Sequence, residues 1–361
     1  MKKFLNLSAI VLIIITLTAA GSDKKKPKNL ILFIGDGMGV THVYAAMTAS
    51  GFTMVFPAFP VTGYSITNSH NRYITDSAAG ATAMSTGEKT SNGMIATRPD
   101  GTELVTIMEM AKLNGMSAGV VSTSEITHAT PAAFIAHEGL RSDYFEIARD
   151  FLKGTADVFI GGGRAHFAYR PDSADLTVDL KEMGYDVVNN IDDLRKSSSS
   201  KLAGLMAEKA LPSITNGRDP DFLSIATSKA IEVLSRNSNG FILMVEGSEI
   251  DWEGHDNDTD GIVKETLDMD RAVKVAYEFA RRSKNTLIVV TADHETGGFS
   301  ITDGSIEDKT VSGSFTTKGH TAVMVPVFAF GPGASYFSGV QQNTELFDDF
   351  VKLLSLKKND K

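Results

Sequence analysis

Three apolar runs end in acids or imidazoles, and this pattern restricts the fold more than any other feature of the chain. Residues 30–34 lead into Gly35-Asp36-Gly37, residues 241–245 into Glu246, and residues 286–290 into Thr291-Ala292-Asp293-His294. Such runs, rich in Ile, Val and Leu without polar alternation, read as strands buried on both faces. Open α/β sheets bind ligands at the carboxyl ends of their strands. Carboxylates and imidazoles gathered at that edge suit divalent metal ions.

The rest of the pattern agrees. Strands are predicted at 29–34, 118–122, 157–160, 241–246, 286–291 and 326–330. Helices are predicted at 40–50, 77–86, 103–114, 142–153, 222–236, 262–282 and 344–354. This alternation predicts an α/β three-layer sandwich, a mostly parallel central sheet flanked by helices. With 361 residues, 42% of them hydrophobic, the chain can bury one large core. Residues 21–361 read as a single domain with insertions at about 164–220, over the sheet edge, and 300–319, a polar loop.

Lys2 and Lys3, an apolar stretch at 4–18 and small residues at 18–20 read as a signal peptide over residues 1–20. The expected location is therefore periplasmic or secreted, with no membrane span after cleavage. The formal charge is −9, and −11 without residues 1–20, which carry two lysines and no acids. That surface disfavours nucleic acid and anionic membranes. The absence of cysteine excludes disulfides and thiolate zinc sites.

Several constellations carry chemistry, each with a plainer alternative. Gly35-Asp36-Gly37-Met38-Gly39 departs from the G-x-G-x-x-G fingerprint, and Asp36 would repel phosphate unless a cation lay between them. Asp36 therefore reads as a metal ligand or as a capping acid in a tight turn. Ser77 begins a helix crowded with small residues, where the dipole and free N–H groups favour an anion. Beside a metal it could be ionised and attack phosphorus; alternatively it is an N-cap. Thr130, before Pro131, reads as an N-cap whose hydroxyl can also meet a hard cation. Asp251 and His255, four apart, would share a helical face and chelate one ion, or form a surface ion pair. The acidic run at 256–260 fails as a calcium loop, because Leu267 stands where a bidentate Glu is needed. Arg141 and His320 alone carry no signal. Trp252 reads as core or pocket wall, and His42, His70, His137 and His166 as structural or exposed.

Together these motifs closely resemble the alkaline phosphatase family. The matching segments are Gly35-Asp36-Gly37-Met38-Gly39, Thr75-Asp76-Ser77-Ala78-Ala79-Gly80-Ala81, Thr130-Pro131-Ala132-Ala133, Val245 to Asp251 with His255, Thr291 to Gly298, and Gly319-His320-Thr321. The resemblance implies Ser77 as nucleophile and Arg141 as a clamp on phosphate oxygens. It implies two zinc ions, one held by Asp251, His255 and His320, the other by Asp36, Asp293 and His294. It implies a magnesium-type third site with Asp36, Thr130 and Glu246. The implied reaction is hydrolysis of small phosphate monoesters at alkaline pH through a phosphoserine, with net retention at phosphorus. A homodimer is left open by the resemblance.

Two positions depart from the family's best-known members: His128 replaces an Asp, and Trp252 replaces a Lys, both bordering the site. The first puts the third ion's identity in doubt; the second should weaken phosphate binding. Asp36, Glu246, Asp251 and Asp293 bring four negative charges, which three divalent ions and Arg141 would exceed even against a Ser77 alkoxide. Local charge therefore suits a phosphate dianion despite the acidic surface. The alternatives are a phosphodiesterase of the same superfamily and a non-catalytic metal- or phosphate-binding exported protein. A sulfatase would want a Cys/Ser-x-Pro-x-Arg setting, which the segment after Ser77 lacks.

Overall fold

The computed structural model describes residues 26–357. The expected leader at 1–20 lies outside the described residues. The centre is a ten-stranded sheet in the order Gly339–Gln342, Val61–Ile66, Val325–Phe330, Thr286–Thr291, Asn29–Gly35, Phe241–Gly247, Ser117–Glu125, Val158–Gly162, Leu202–Leu205, Asp186–Val188. Val325–Phe330 runs antiparallel to both neighbours, and every other pairing in this sheet is parallel.

The unbroken hydrophobic runs are explained by two cores, one on each face. Leu30, Leu32 and Ile34 point into one, and Ile31 and Phe33 into the other, because strand side chains alternate. The first core is closed by helices Ser77–Thr86, Ile107–Leu113 and Asn343–Leu354, the second by Val40–Ser50, Phe222–Leu234 and Thr259–Ser283. All six predicted strands and seven predicted helices are present, with ends shifted by a few residues.

The two expected insertions turn out differently. Residues 164–220 extend the sheet, contributing its last two strands, Leu202–Leu205 and Asp186–Val188. These strands have four and three residues, too short to show a period. Residues 300–319 lie largely in an antiparallel hairpin, Phe299–Ser305 with Thr310–Phe315, whose mixed polar faces resemble a loop in sequence. The edge-side strand Val61–Ile66 also escapes a sequence reading, because Gly63 interrupts it where the Phe337 carbonyl packs against the backbone.

Register puts the chemistry on one edge. Glu246 lies level with Ile34 and Ser122, so Asp36 emerges beyond it on the neighbouring strand. The short pair His320–Thr321 with Glu295–Thr296 sets His320 opposite Thr296, next to the end of Thr286–Thr291.

Candidate active site

Each element delivers its residue for a local reason. The Ser77–Thr86 helix is capped by Asp76, whose carboxylate accepts from Ala79 N at 3.0 Å, so Ser77 is the first helical residue. All ten residues of this helix are buried. Its small side chains serve packing: a Cβ on Gly80 would lie 3.0 Å from Asp293 Cβ and 3.1 Å from the Asp293 carbonyl oxygen. Gly37 adopts φ +70°, and a Cβ there would stand 2.7 Å from Thr296 Oγ1 and 2.9 Å from Asp251 Cα. The turn after Asn29–Gly35 therefore closes over the helix Glu249–Asp256, which carries Asp251 and His255 on one face. Thr130 is not an N-cap. The turn Ala129–Ala132 starts at His128, two residues earlier, which is tolerated because Pro131 still lies in the first turn, where its missing N–H has no partner to lose.

The side chains converge. Ser77 Oγ is 3.3 Å from His294 Nε2. The same nitrogen is 3.3 Å from Asp36 Oδ1 and 3.4 Å from Asp293 Oδ2. Asp251 Oδ2 is 3.2 Å from His255 Nε2, and Asp251 Oδ1 is 3.6 Å from His320 Nε2. His294 and His320 stack with centroids 3.6 Å apart. The other ring nitrogens are engaged outside this cluster. His320 Nδ1 donates to the Thr75 carbonyl at 2.9 Å, and His255 Nδ1 to the Lys318 carbonyl at 2.5 Å. Thr296 donates its hydroxyl to Asp251 and offers a lone pair to His294 Nδ1 at 3.2 Å. All three imidazoles thus turn their Nε2 lone pairs towards carboxylates, an arrangement stable only around cations or added protons.

The buried acids give the same answer. Both oxygens of Asp36, one each of Asp293 and Glu246, and the Thr130 hydroxyl are buried without a hydrogen-bond partner. Burial and the charges of Asp293 and Asp251 push Asp36 well above the usual carboxylate range. Burial lifts Glu246 to about 7, against the hydrogen bond it accepts from Ser122, and lifts Asp293 to about 6 with the help of Asp251. Asp251 itself is lowered despite burial, by the hydrogen bond with His255, which in turn rises to about 9. Buried acceptors left unpaired in this number call for a cation, a proton or a water at each of them.

Three donor groups each bring ligand atoms within 4.8 Å of one another: Asp251, His294 and His320; Asp36, Asp293 and His294; Asp36, His128 and Glu246. They overlap the expected sets without reproducing them: the first group holds His294 with Asp251 and His320 in place of His255, whose Nε2 lies 3.2 Å from Asp251 Oδ2 and 3.3 Å from His320 Nε2. His128, expected only to border the site, is a donor in the third group alongside Asp36 and Glu246. Its sequence neighbours hold no hint of this, because Asp36 and Glu246 are each more than ninety positions away. His128 Nε2 also accepts from Arg141 at 3.3 Å, its ring meets Trp252 edge-on at 6.0 Å, and burial with the Arg141 charge lowers it to about 3. Arg141 is anchored by Asp76 Oδ2 at 3.1 Å and lies partly open to solvent. Sequence reasoning passed over Asp76, although its place directly before Ser77 at a helix start signals a cap.

A mostly parallel α/β sheet whose carboxyl edge gathers acids and imidazoles able to hold divalent ions around a helix-start serine defines a hydrolase-like metal-site architecture. The chain belongs to the alkaline phosphatase family, whose model matches residues 27–311. Alkaline phosphatase 3 of Bacillus subtilis is 34% identical, over 100% of this chain and 99% of its own length. The structure of an alkaline phosphatase from the Antarctic bacterium TAB5 superposes with a TM-score of 0.87 at 39% identity, covering 92% of this chain and 99% of its own. A variant of that enzyme with one histidine changed to glutamate and Mg bound in its M3 site gives the same TM-score of 0.87 at 38% identity, with 92% and 99% covered. Among the described residues, no helix is long and apolar enough to cross a membrane.

Proposed function

We propose that this chain hydrolyses phosphate monoesters to an alcohol and inorganic phosphate at alkaline pH, with Ser77 as nucleophile. One observation carries the reading: a buried serine at a helix start lies 3.3 Å from an imidazole nitrogen that unpaired oxygens of two carboxylates, Asp36 Oδ1 and Asp293 Oδ2, also approach. We assign Asp251, His255 and His320 to one zinc, Asp36, Asp293 and His294 to a second, and Asp36, Thr130 and Glu246 to magnesium, with the His128 imidazole close enough to Asp36 and Glu246 to serve that third site as well. When bound, these ions supply Lewis acidity, lowering hydroxyl pKa values and neutralising phosphate charge.

The protein's own groups do the positioning. The first turn of Ser77–Thr86 directs N–H groups and the positive end of its dipole at the phosphate. The Arg141 fork, steadied by Asp76, grips two of its oxygens. Ser77 Oγ attacks phosphorus in line, forming the Oγ–P bond as the ester P–O bond breaks; Oγ gives up its proton and the departing alkoxide takes one up to leave as the alcohol. Water then attacks the phosphoserine, breaking the Oγ–P bond, and one of its protons restores the Ser77 hydroxyl. Two inversions give net retention. The expected partners are small phosphate monoesters, and the expected location, from the leader read at 1–20, is periplasmic or secreted.

The test is release of inorganic phosphate from an aryl phosphate at alkaline pH, comparing zinc- and magnesium-loaded wild type with equally loaded Ser77→Ala. Turnover that collapses in the variant supports the reading. Equal turnover in both, or none in metal-loaded wild type, overturns it.

A further inference from the structure

Beside Arg141 lies a group of rings that phosphate chemistry does not use. Tyr144 and His166 stack with centroids 4.8 Å apart and planes 8° from parallel. Phe145 meets the same imidazole edge-on at 5.6 Å. We propose that Tyr144 and His166 form a shelf for the ring of a planar, uncharged leaving group, as in a nucleoside 5′-monophosphate, and so bias which monoesters are hydrolysed. This rests on the monoesterase reading above and goes beyond it in naming a substrate class.

The shelf's place follows from a closed circuit of contacts. Asp76, the neighbour of Ser77, holds Arg141 at 3.1 Å, and Arg141 reaches His128 at 3.3 Å. Thr127, the residue before His128, bonds His166 Nδ1 at 2.6 Å. His166 stacks on Tyr144, three residues after Arg141. Both flanks also belong to the ligand edge of the sheet. Thr127 follows the carboxyl end of Ser117–Glu125, and His166 follows that of its neighbour Val158–Gly162. Loops at these ends form the crevice in open α/β sheets.

The rings are rigid and still have unused capacity. The buried Arg170 guanidinium donates to the backbone carbonyls of Phe145 and His166, fixing both ring-bearing segments. Among the described residues, the Tyr144 hydroxyl and His166 Nε2 make no hydrogen bond, and both side chains are only half-buried. At alkaline pH the pair is neutral: burial raises Tyr144, with Glu125 adding to the effect, and burial lowers His166, with Arg170 adding. A neutral stacked pair with two free polar edges suits a π-face that carries its own donors and acceptors, rather than an ammonium or a second phosphate.

The experiment compares kcat/KM for adenosine 5′-monophosphate and for ethyl phosphate in the metal-loaded enzyme. Variants are Tyr144→Leu, which keeps apolar bulk without the ring, and His166→Asn, which keeps a partner for Thr127. The expected result is a fall of about fivefold in the nucleotide-to-ethyl ratio for either variant, the lower end of what ring–base stacking contributes at half-exposed sites. Tyr144→Phe should retain most of the ratio. A ratio within twofold of wild type in Tyr144→Leu and His166→Asn overturns the shelf, and so does an equal loss on both substrates. If wild type fails to hydrolyse ethyl phosphate, the monoesterase reading falls and the shelf with it. If wild type turns it over while the ratio stays unchanged in the variants, only the shelf falls.

Discussion

Asp76 touches neither of the proposed zinc groups, yet three structures depend on its carboxylate. Oδ1 accepts from Ala79 N at 3.0 Å and caps the helix that begins at Ser77, while Oδ2 accepts from Gly93 N at 2.9 Å and from Arg141 Nη1 at 3.1 Å. Asp76→Ala removes all three. Loss of an N-cap costs about 1 kcal/mol. Loss of the Gly93 hydrogen bond costs about 1 kcal/mol more. The Arg141 pair is partly exposed, 27% and 18% for the two side chains, so it adds little to stability but frees the guanidinium to wander. The expected loss is ~2 kcal/mol, read by urea denaturation of the metal-loaded protein, together with weaker inhibition by inorganic phosphate. Asp76→Asn separates the effects. Its amide oxygen can still cap Ala79, but its NH₂ cannot accept from Gly93 or Arg141, so about half the stability should return while phosphate inhibition stays weak. Asp76→Ala within 0.5 kcal/mol of wild type, or Asp76→Asn restoring full phosphate inhibition, would refute this reasoning.

The metal-free protein should lose stability as pH rises from about 6.5 to 9. Over that range Glu246 (about 7), Glu249 (about 9) and His255 (about 9) hold protons in the folded chain that the unfolded chain has released, so folding weakens with pH. Below 6.5 the lowered histidines His42, His128 and His294 act in the opposite sense and offset the raised acids. Most of the effect comes from the buried Glu246 and Glu249, at ~1.4 kcal/mol per pH unit; the partly exposed His255 adds less because solvent screens it, and metal should suppress the share of Glu246 and His255. A melting temperature of the chelated protein that stays flat or climbs from pH 6.5 to 9 would count against the proposed cluster. Trp252→Lys puts a cation beside His128, where the indole now meets the imidazole edge-on. It should tighten inhibition by inorganic phosphate about fivefold, or ~1 kcal/mol, and unchanged inhibition would argue against phosphate lying near residue 252.

Local physics explains what was legible. Runs such as 241–245 announce strands because both faces are buried, and Asp251 with His255 announces a shared helical face because four residues make about one turn. Legibility ended where a feature was short or two-sided. Leu202–Leu205 and Asp186–Val188 are too brief for a period, and the hairpin from Phe299 to Phe315 alternates half-buried and exposed residues. The resemblance to a family carried Ser77, Arg141 and the ligand sets further than spacing could.

The sequence alone determined the α/β alternation, the acid- and imidazole-tipped strands and the small-residue helix behind Ser77, because these depend on neighbours within a few turns. Tertiary structure decided which donors meet. His294 lies within reach of both the Asp251 and the Asp36 groups, His128 joins Asp36 and Glu246, and Tyr144 stacks on His166. Those distances are set by strand order and register, with Asn29–Gly35 between Thr286–Thr291 and Phe241–Gly247. Strand order is a property of the whole packed sheet: each strand is chosen by the two faces it buries and the neighbours it pairs, and no local stretch of sequence encodes that choice.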